Sequence, residues 1–405
     1  MVVTLAFAEV RPTGQTRREG VSSREKFERS LLAVEKWVES HDYKGYDPSD
    51  GLSSFLRVLT FNNTLLERML QQVGRQSPVN LRPLMGIRPL ESTKGRGYMA
   101  WGYLARYRLT GAEEYKEKAL LCLDWLDRNK SPRYAHHSWG NHFDYASRGG
   151  RMPKHESTIV WTGLIGQAFL EAYELFGLER HLEIIKSITN WILSLPREKT
   201  PLGTCLSYVA FKQSSIHNSN MIGAAFLAGA ARCTGDREAL ETARQAMEYA
   251  CGHQRADGAW YYGAGEKYRW IDNFHTGYNL DSLKRYIRFS ADRTFADNLK
   301  RGIDYYSRTF IEDDGFPKYY AQRAYPLDIQ CASQAMETLA FFAEDNPGNL
   351  GQACKVANWT IDNMQDRDGH FYYRMYPLGI KAKVPLIHWG QATMYRALSY
   401  LLTRL

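Results

Sequence analysis

Two aspartates and two histidines are the residues best placed by type and spacing to do chemistry. Asp272 and Asp328 open adjacent members of a repeating helical pattern. Hydrolysis of a glycosidic bond needs one carboxylic acid and one carboxylate about 5–10 Å apart, and these two are the natural pair, with Glu156 and Asp144 as substitutes. A second chemistry is open to His217 and His275. Removing the proton beside the carboxylate of a uronic acid needs a base such as His or Tyr, with cationic or amide groups to hold the resulting charge. His217, His275, Tyr208, Tyr261 and Arg96 carry those functions. The residues leave both readings open.

The candidates fall in six short windows: Arg96 with Lys94 and Glu91; His155 and Glu156 before Trp161; His217, Asn218 and Asn220; Asp272, Asn273 and His275; Asp328 and Gln330; His388 and Trp389. Any one window reads equally well as a helix cap or a satisfied buried histidine. Four of the 11 histidines lie in these windows, whereas Ser, Thr or Asp would suffice as caps. Trp161, Trp270, Trp389 and Tyr262 are expected as stacking walls for sugar rings, and Arg96, Asn218, Asn220 and Gln330 as groups that orient hydroxyls or a carboxylate.

A repeat positions these windows. Small-residue helix starts recur at Gly102, Gly163, Gly223, Gly277, Ala332 and Gly390, at intervals of 61, 60, 54, 55 and 58 residues. Between them run amphipathic helices with a charged face, such as "AEEYKEKALLCLDWLDRN" and "DREALETARQAMEYACGHQ". "SSFLRVLTFNNTLLERMLQQVG" reads as the first of these, and "REKFERSLLAVEKWVES" as an additional N-terminal helix. Strand signals are confined to short pieces after Asp-Gly turns: "DGAWYY", "DGFPKYY" and "DGHFYY". Six helical hairpins close into an all-α (α/α)6 toroid with short β-hairpin turns, a single domain over residues 26–405 behind an N-terminal tail of residues 1–25. In such a ring the six windows meet at the inner-helix N-termini, where free backbone N–H groups favour negative charge. An open superhelix of helical hairpins, the competing architecture, spreads its binding residues along a concave face.

Composition sets the frame. The chain has 405 residues, 44% hydrophobic and 24% charged, which is globular rather than disordered. Aromatics reach 13%, as a carbohydrate site or a Tyr-rich helical core would each produce. The net charge of +8 is diffuse and favours an anionic oligosaccharide or polysaccharide; no basic stripe or finger spacing points to nucleic acid. Six scattered cysteines without a CxxC pair, and an N-terminus lacking a signal-peptide pattern, suit a reduced, cytoplasmic setting. No stretch of about 18 apolar residues marks an integral membrane protein. The long loop of residues 134–157 gathers His136, His137, His142, Asp144 and His155, but no metal-ligand spacing, so neither metal nor cofactor is expected.

"QRADGAW" (Gln254 to Trp260) matches the Q-x3-G-x-W pattern of terpene-cyclase repeats, and "QDRDGHF" nearly does. The acidic motifs of those enzymes are absent, and physically the pattern is a hairpin-stacking device. The ordered series "IHNSNMIGAAFLAGAARCTGD", "QRADGAWYYG", "RWIDNFHTGYNLDSL", "DDGFPKYY", "YPLDIQCASQA", "MQDRDGHFYYR" and "HWGQATMYRAL" resembles the VpsJ-like exopolysaccharide-biosynthesis proteins, over roughly residues 80 to 400. These sit broadly with six-hairpin-glycosidase-like toroids. The resemblance implies a role in making or modifying an exopolysaccharide or cell-surface glycan, with partners in a biosynthetic complex; it brings no agreed catalytic residues. A non-catalytic glycan-binding scaffold is the alternative to an enzyme.

Overall fold

The computed structural model describes residues 13–147 and 150–405, with the side chains of helix α1 described from residue 23. Six helices form an inner ring: α3 (Thr93–Thr110), α5 (Ile159–Phe176), α7 (His217–Thr234), α9 (Asn273–Ser290), α11 (Ile329–Phe341) and α13 (Thr393–Leu402). Each packs on the next, and α13 packs back on α3, so the ring closes. Around it lie α4 (Glu113–Arg128), α6 (Glu179–Leu193), α8 (Arg237–Gly252), α10 (Ala296–Phe310), α12 (Gly348–Met364) and α1 (Thr13–Ser40). The protein is an (α/α)6 toroid.

Inner helices are buried on every side along most of their length, and outer helices bury a stripe. The small-residue anchors explain how inner neighbours approach closely. A methyl group added at Gly163 would meet the Ile222 side chain at 2.5 Å, and one at Gly102 would meet Tyr395 at 2.5 Å. Outer helices are tied to one another by the Q-x3-G-x-W device. Gln254 donates to Gly258 O at 2.9 Å and to Asn298 O of α10 at 2.9 Å. Gln365 donates likewise to Gly369 O and, at 3.1 Å, to Ser30 O of α1, so the device also closes the outer ring.

The N-terminal helices exchange the roles read from the sequence. α1 fills the sixth outer position, packed on α12 and α13 and reaching α4 through Glu35 and Lys118, 2.7 Å apart. Thr13 to Glu25, expected within a tail, belong to this helix; residues 1–12 lie outside the described residues. The segment expected as the first outer helix, residues 53–74, is instead a 3-10 turn, Phe55–Thr60, followed by α2 (Thr64–Gln76), with a further 3-10 turn, Asp50–Ser53, leading into the segment. Phe61 and Asn62 take left-handed φ values of 48° and 58°, which no continuous helix tolerates. Residues 47–91 form a strap that crosses the end of the ring where the inner helices begin.

Regular strands are short, and they do not follow the Asp-Gly signals. Tyr145–Ser147 pairs with Gly150–Met152, Arg197–Thr200 with Gly203–Leu206, and Lys44–Gly45 with Leu90–Glu91. Leu327–Asp328, Arg374–Met375 and Lys381–Ala382 make the one three-stranded sheet among the described residues. The Asp-Gly turns give mostly single bridges, Ile311 to Pro317 and Gln365 to Phe371, because aromatic packing against the next hairpin takes the place of a partner strand.

Candidate active site

Four of the six inner-helix N-termini are capped by a side chain of the preceding residue. Ser92, Thr158, Asp272 and Asp328 accept from backbone N–H groups in the first turns of α3, α5, α9 and α11. The residues just inside these caps meet across the ring. Lys94 Nζ lies 5.0 Å from the ring centre of Trp161 and 5.6–5.7 Å from those of Tyr98, Tyr278 and Trp389, so one cation sits in a cage of four rings drawn from four sectors. Its burial lowers the ammonium to about 8, only partly opposed by the charge of Asp47.

Two histidines flank this cage, each against a carboxylate. His275 Nδ1 is 2.7 Å from Asp272 Oδ2, which also accepts from Trp270 Nε1 at 3.0 Å, while Asp272 Oδ1 accepts the His275 backbone N–H. One carboxylate thus caps α9 and fixes the imidazole, leaving Nε2 for other work. Tyr262 stacks on Trp270 with ring centres 4.4 Å apart and touches His275 at 4.5 Å, forming the wall on that side. His388 is presented by the π-helical turn Ile387–Ala392 that leads into α13. Its Nδ1 lies 2.6 Å from Asp47 Oδ2, in ion-pair range though not aligned as a hydrogen bond, and its Nε2 is buried without a partner. Burial works against ionisation of Asp47, but His388, the Ser49 N–H and Arg82 outweigh it and hold the carboxyl below its usual range. Ring contacts run unbroken from His275 through Phe274 and Trp389 to His388.

Asp328 is committed elsewhere. Its oxygens accept from Arg374 Nε at 3.0 Å, Trp389 Nε1 at 2.6 Å and Gln330 N at 3.1 Å, so it holds Trp389 in place and leaves little of itself to a ligand. Gln330 donates to Tyr278 OH at 2.9 Å, and its Oε1 has no partner. Trp161 Nε1 and Asn218 Oδ1 are likewise buried and unpartnered. Buried polar atoms are almost always satisfied; several orphans among the first turns of the inner helices suit a ligand rich in hydroxyl groups.

Other sequence candidates point away from the axis. His217, the first residue of α7, lies against Tyr249 and His253 of the outer layer at 5.9 and 5.1 Å, and its burial with His253 lowers it to about 3. Asn273 accepts from Tyr306 of α10 at 2.8 Å, and Asn220 clips Leu206 N to Ala246 O. Arg96 stacks over Tyr43 at 3.7 Å, pairs with Glu91 and faces α4. Tyr261 is held by Arg255 on the outside at 2.5 Å. Glu156 accepts from Tyr134 OH, and His155 packs on His142 in the 134–157 loop at 5.4 Å. Tyr208 remains beside the mouth, its phenol pushed up to about 12 by burial against hydrogen bonds with Tyr145 and Thr158.

Lys94, named in the first window but given no role there, completes the cluster with Asp47, Tyr98 and Tyr278, which were not among the sequence candidates. Lys94 carried a usable signal, since it sits two residues from Arg96 in the same window, and at helical spacing only one of the two can face the axis. Asp47 gave none, because it arrives on the strap. A narrow cleft of about 20 Å³, lined by Asp47, Arg88, Glu91, Asn141, His142 and Ile387 among others, lies between the strap and the 134–157 loop beside this cluster.

No family model matches the sequence, the VpsJ-like proteins included, and no curated protein matches it. Solved structures do match in shape. The cellobiose 2-epimerase of Bacillus thermoamylovorans aligns with a TM-score of 0.62 at 11% identity, over 78% of this chain and 88% of that one. The GH76 α-mannanase of Bacteroides thetaiotaomicron aligns at 0.59 and 11%, over 76% and 86%. A D-mannose isomerase aligns at 0.57 and 13%, over 77% and 86%. At such identities the likeness establishes the shared fold alone, an (α/α)6 toroid.

Proposed function

We propose that this protein is a carbohydrate-active enzyme that moves a proton on carbon within a sugar, by epimerase- or isomerase-type chemistry, at the mouth of the toroid. The observation that carries the reading is the pair of carboxylate-flanked histidines joined by a continuous aromatic wall around a single buried lysine. With Nδ1 held by Asp272, His275 presents Nε2 as a base to a C–H beside a carbonyl. The electrons released from that bond go to the carbonyl oxygen, and Lys94 stands where an oxyanion would be stabilised. His388, on the other side of the cage, returns a proton to the same carbon from the opposite face or to its neighbour. Two of the solved toroids described above are named as a sugar epimerase and a sugar isomerase.

Lys94 favours a second form of the same chemistry, on a uronosyl residue whose carboxylate it would pair, giving C5-epimerisation or, with loss of a leaving group, elimination. Hydrolysis by Asp272 and Asp328 is the weaker reading, because the oxygens of Asp328 are engaged by Arg374, Trp389 and a backbone N–H. Cytoplasmic action in exopolysaccharide or cell-surface glycan biosynthesis, alone or within a complex, extends the proposal on the strength of the motif resemblance.

The test is incubation with cellobiose, mannose and a uronosyl oligosaccharide in heavy water, followed by NMR. Carbon-bound deuterium with inverted or migrated stereochemistry is expected, and it disappears in His275→Asn. Chain shortening without carbon-bound deuterium would overturn the reading in favour of hydrolysis. Binding without either change would make the protein a glycan-binding scaffold.

A further inference from the structure

Helix α2 is turned the wrong way round for a soluble protein. Its polar residues face inward: Glu67, fully buried, meets Arg57 Nε at 3.3 Å and Arg151 Nε at 2.8 Å, and Gln71 exchanges two hydrogen bonds with the backbone of Ala146. Its apolar residues face out, with Leu65 63%, Met69 58% and Val73 51% exposed. The turns before it continue the pattern through Phe55, Val58 and Phe61. Eleven of the 20 large hydrophobic side chains exposed among the described residues lie between Phe55 and Leu90. Two more, Leu378 and Ile380, stand in the turn that Tyr376 OH ties to Gln76 O at 2.8 Å. Scattered exposed apolar residues need no explanation, but a contiguous face of this size marks an interaction surface.

The charge on this face says what it meets. Over the strap the sequence has five arginines and four carboxylates, and every carboxylate is engaged: Asp47 beside His388, Asp50 by Arg82, Glu67 by Arg57 and Arg151, and Glu91 by Arg96. Asp144 nearby is taken by Arg57 at 2.5 Å. Arg88 is exposed, Arg68 is partly so, and Lys381 and Lys383 flank the neighbouring turn. An apolar face fringed by cations, with no unpaired acid along the strap, fits the boundary of a bilayer bearing anionic headgroups, where apolar groups enter the acyl region and arginines meet phosphate. A protein partner would more commonly be met by a rim of both signs.

We propose that the strap of residues 47–91 is a peripheral docking surface for an anionic lipid bilayer. The strap's inner side is anchored to the mouth, through Gln76 to Arg374 at 3.0 Å and Arg75 to Tyr373 OH at 3.4 Å. Docking therefore sets the mouth of the toroid against the lipid surface. Since no helix among the described residues is long and apolar enough to cross a membrane, the attachment is interfacial.

The test is co-sedimentation of the full chain with vesicles of phosphatidylcholine alone and with added phosphatidylglycerol. Binding is expected only to the anionic vesicles, weakened several-fold at high salt and at least ~10-fold in Leu65→Glu/Met69→Glu. Circular dichroism and thermal melting of that variant confirm that it folds, and Val58→Glu, on a separate turn, checks the same face. No sedimentation with either vesicle overturns the proposal. So does equal binding by wild type and both variants. A dimer in analytical ultracentrifugation that the same substitutions dissociate, without vesicle binding, assigns the face to a second copy of this chain instead.

Discussion

Replacing Lys94 by methionine should make the protein more stable and less active, and the magnitude follows from burial. Lys94 is 3% exposed, and its ammonium is lowered from the model-peptide value of 10.5 to about 8. At 1.36 kcal/mol per pH unit, that difference is a penalty of about 3 kcal/mol for keeping the charged form folded at neutral pH. The sign is fixed by linkage. Between pH 8 and 10.5 the unfolded chain binds a proton at this site that the folded chain has released, so stability rises with pH across that window, and below pH 8 the penalty is felt in full. Methionine keeps most of the volume inside the Trp161–Tyr98–Tyr278–Trp389 cage and removes the charge. Urea unfolding of wild type and Lys94→Met at pH 7, 8, 9 and 10 should show the variant more stable at pH 7 by up to ~3 kcal/mol, with the gap closing as pH rises. Carbon-bound deuterium uptake should fall on the order of 10²- to 10³-fold, the usual consequence of removing one group that holds a developing oxyanion. A variant less stable than wild type at pH 7 would refute the reasoning, since Lys94 would then be held by interactions that outweigh its burial. Undiminished deuterium uptake would remove Lys94 from the chemistry.

Asp272→Asn keeps an amide oxygen to cap α9 but presents N–H groups where His275 Nδ1 and Trp270 Nε1 need an acceptor. Uptake should fall by about 10³- to 10⁴-fold through the wrong imidazole tautomer, with a loss of only about 1–2 kcal/mol in unfolding; a wild-type rate would mean that Asp272 is a cap and nothing more. Arg374→Ala strands the carboxylate of Asp328, which is fully buried, and should cost about 3–5 kcal/mol. The double variant Arg374→Met/Asp328→Asn should recover part of that loss in the same denaturation series. Gln365→Ala removes the bond from α12 to Ser30 that closes the outer ring and should lower stability by about 1–3 kcal/mol without changing uptake per folded molecule.

The fold was legible because its information is periodic. Small anchors such as Gly102 and Gly163 recur where inner helices touch, and the glutamine of Q-x3-G-x-W recurs where outer hairpins stack, so six copies average out local noise. The strap broke the pattern. "SSFLRVLTFNNTLLERMLQQVG" has helical periodicity, but periodicity does not say which face turns inward, and here buried ion pairs on Glu67 draw in the polar face. The strand signals misled for a related reason: Tyr and Trp after an Asp-Gly turn are β-formers by propensity, yet in this ring their rings pack between hairpins. At the mouth, sequence windows located the right turns without resolving which side chain of each turn faces the axis. His275, Trp161, Gln330, His388 and Trp389 do; His217, Arg96, Asn220 and Asn273, one or two positions away, face the outer layer. A helix rotates by 100° per residue, so a window three residues wide spans most of its circumference.

Several inner-helix starts turn unsatisfied groups toward the cage, although His217 Nδ1 and Asn273 Nδ2, on the outer side, also lack partners. Asn220 and Thr276 are buried at inner-helix starts and spend their side chains on the fold, on Leu206 and Ala246 and on the backbone of Asp272. His388, Gln330 and Trp161 are also at such starts, yet each leaves a buried nitrogen or oxygen without a partner, and Lys94 is buried with no carboxylate in hydrogen-bond reach. A core shaped only for stability would replace these four with apolar residues, since an unmade buried hydrogen bond costs about 1–3 kcal/mol. Their cost is concentrated around one aromatic cage, where a sugar's hydroxyl and carbonyl groups would relieve it. That is why stabilisation by Lys94→Met, rather than its effect on rate alone, is the sharper sign that the mouth is built for a ligand.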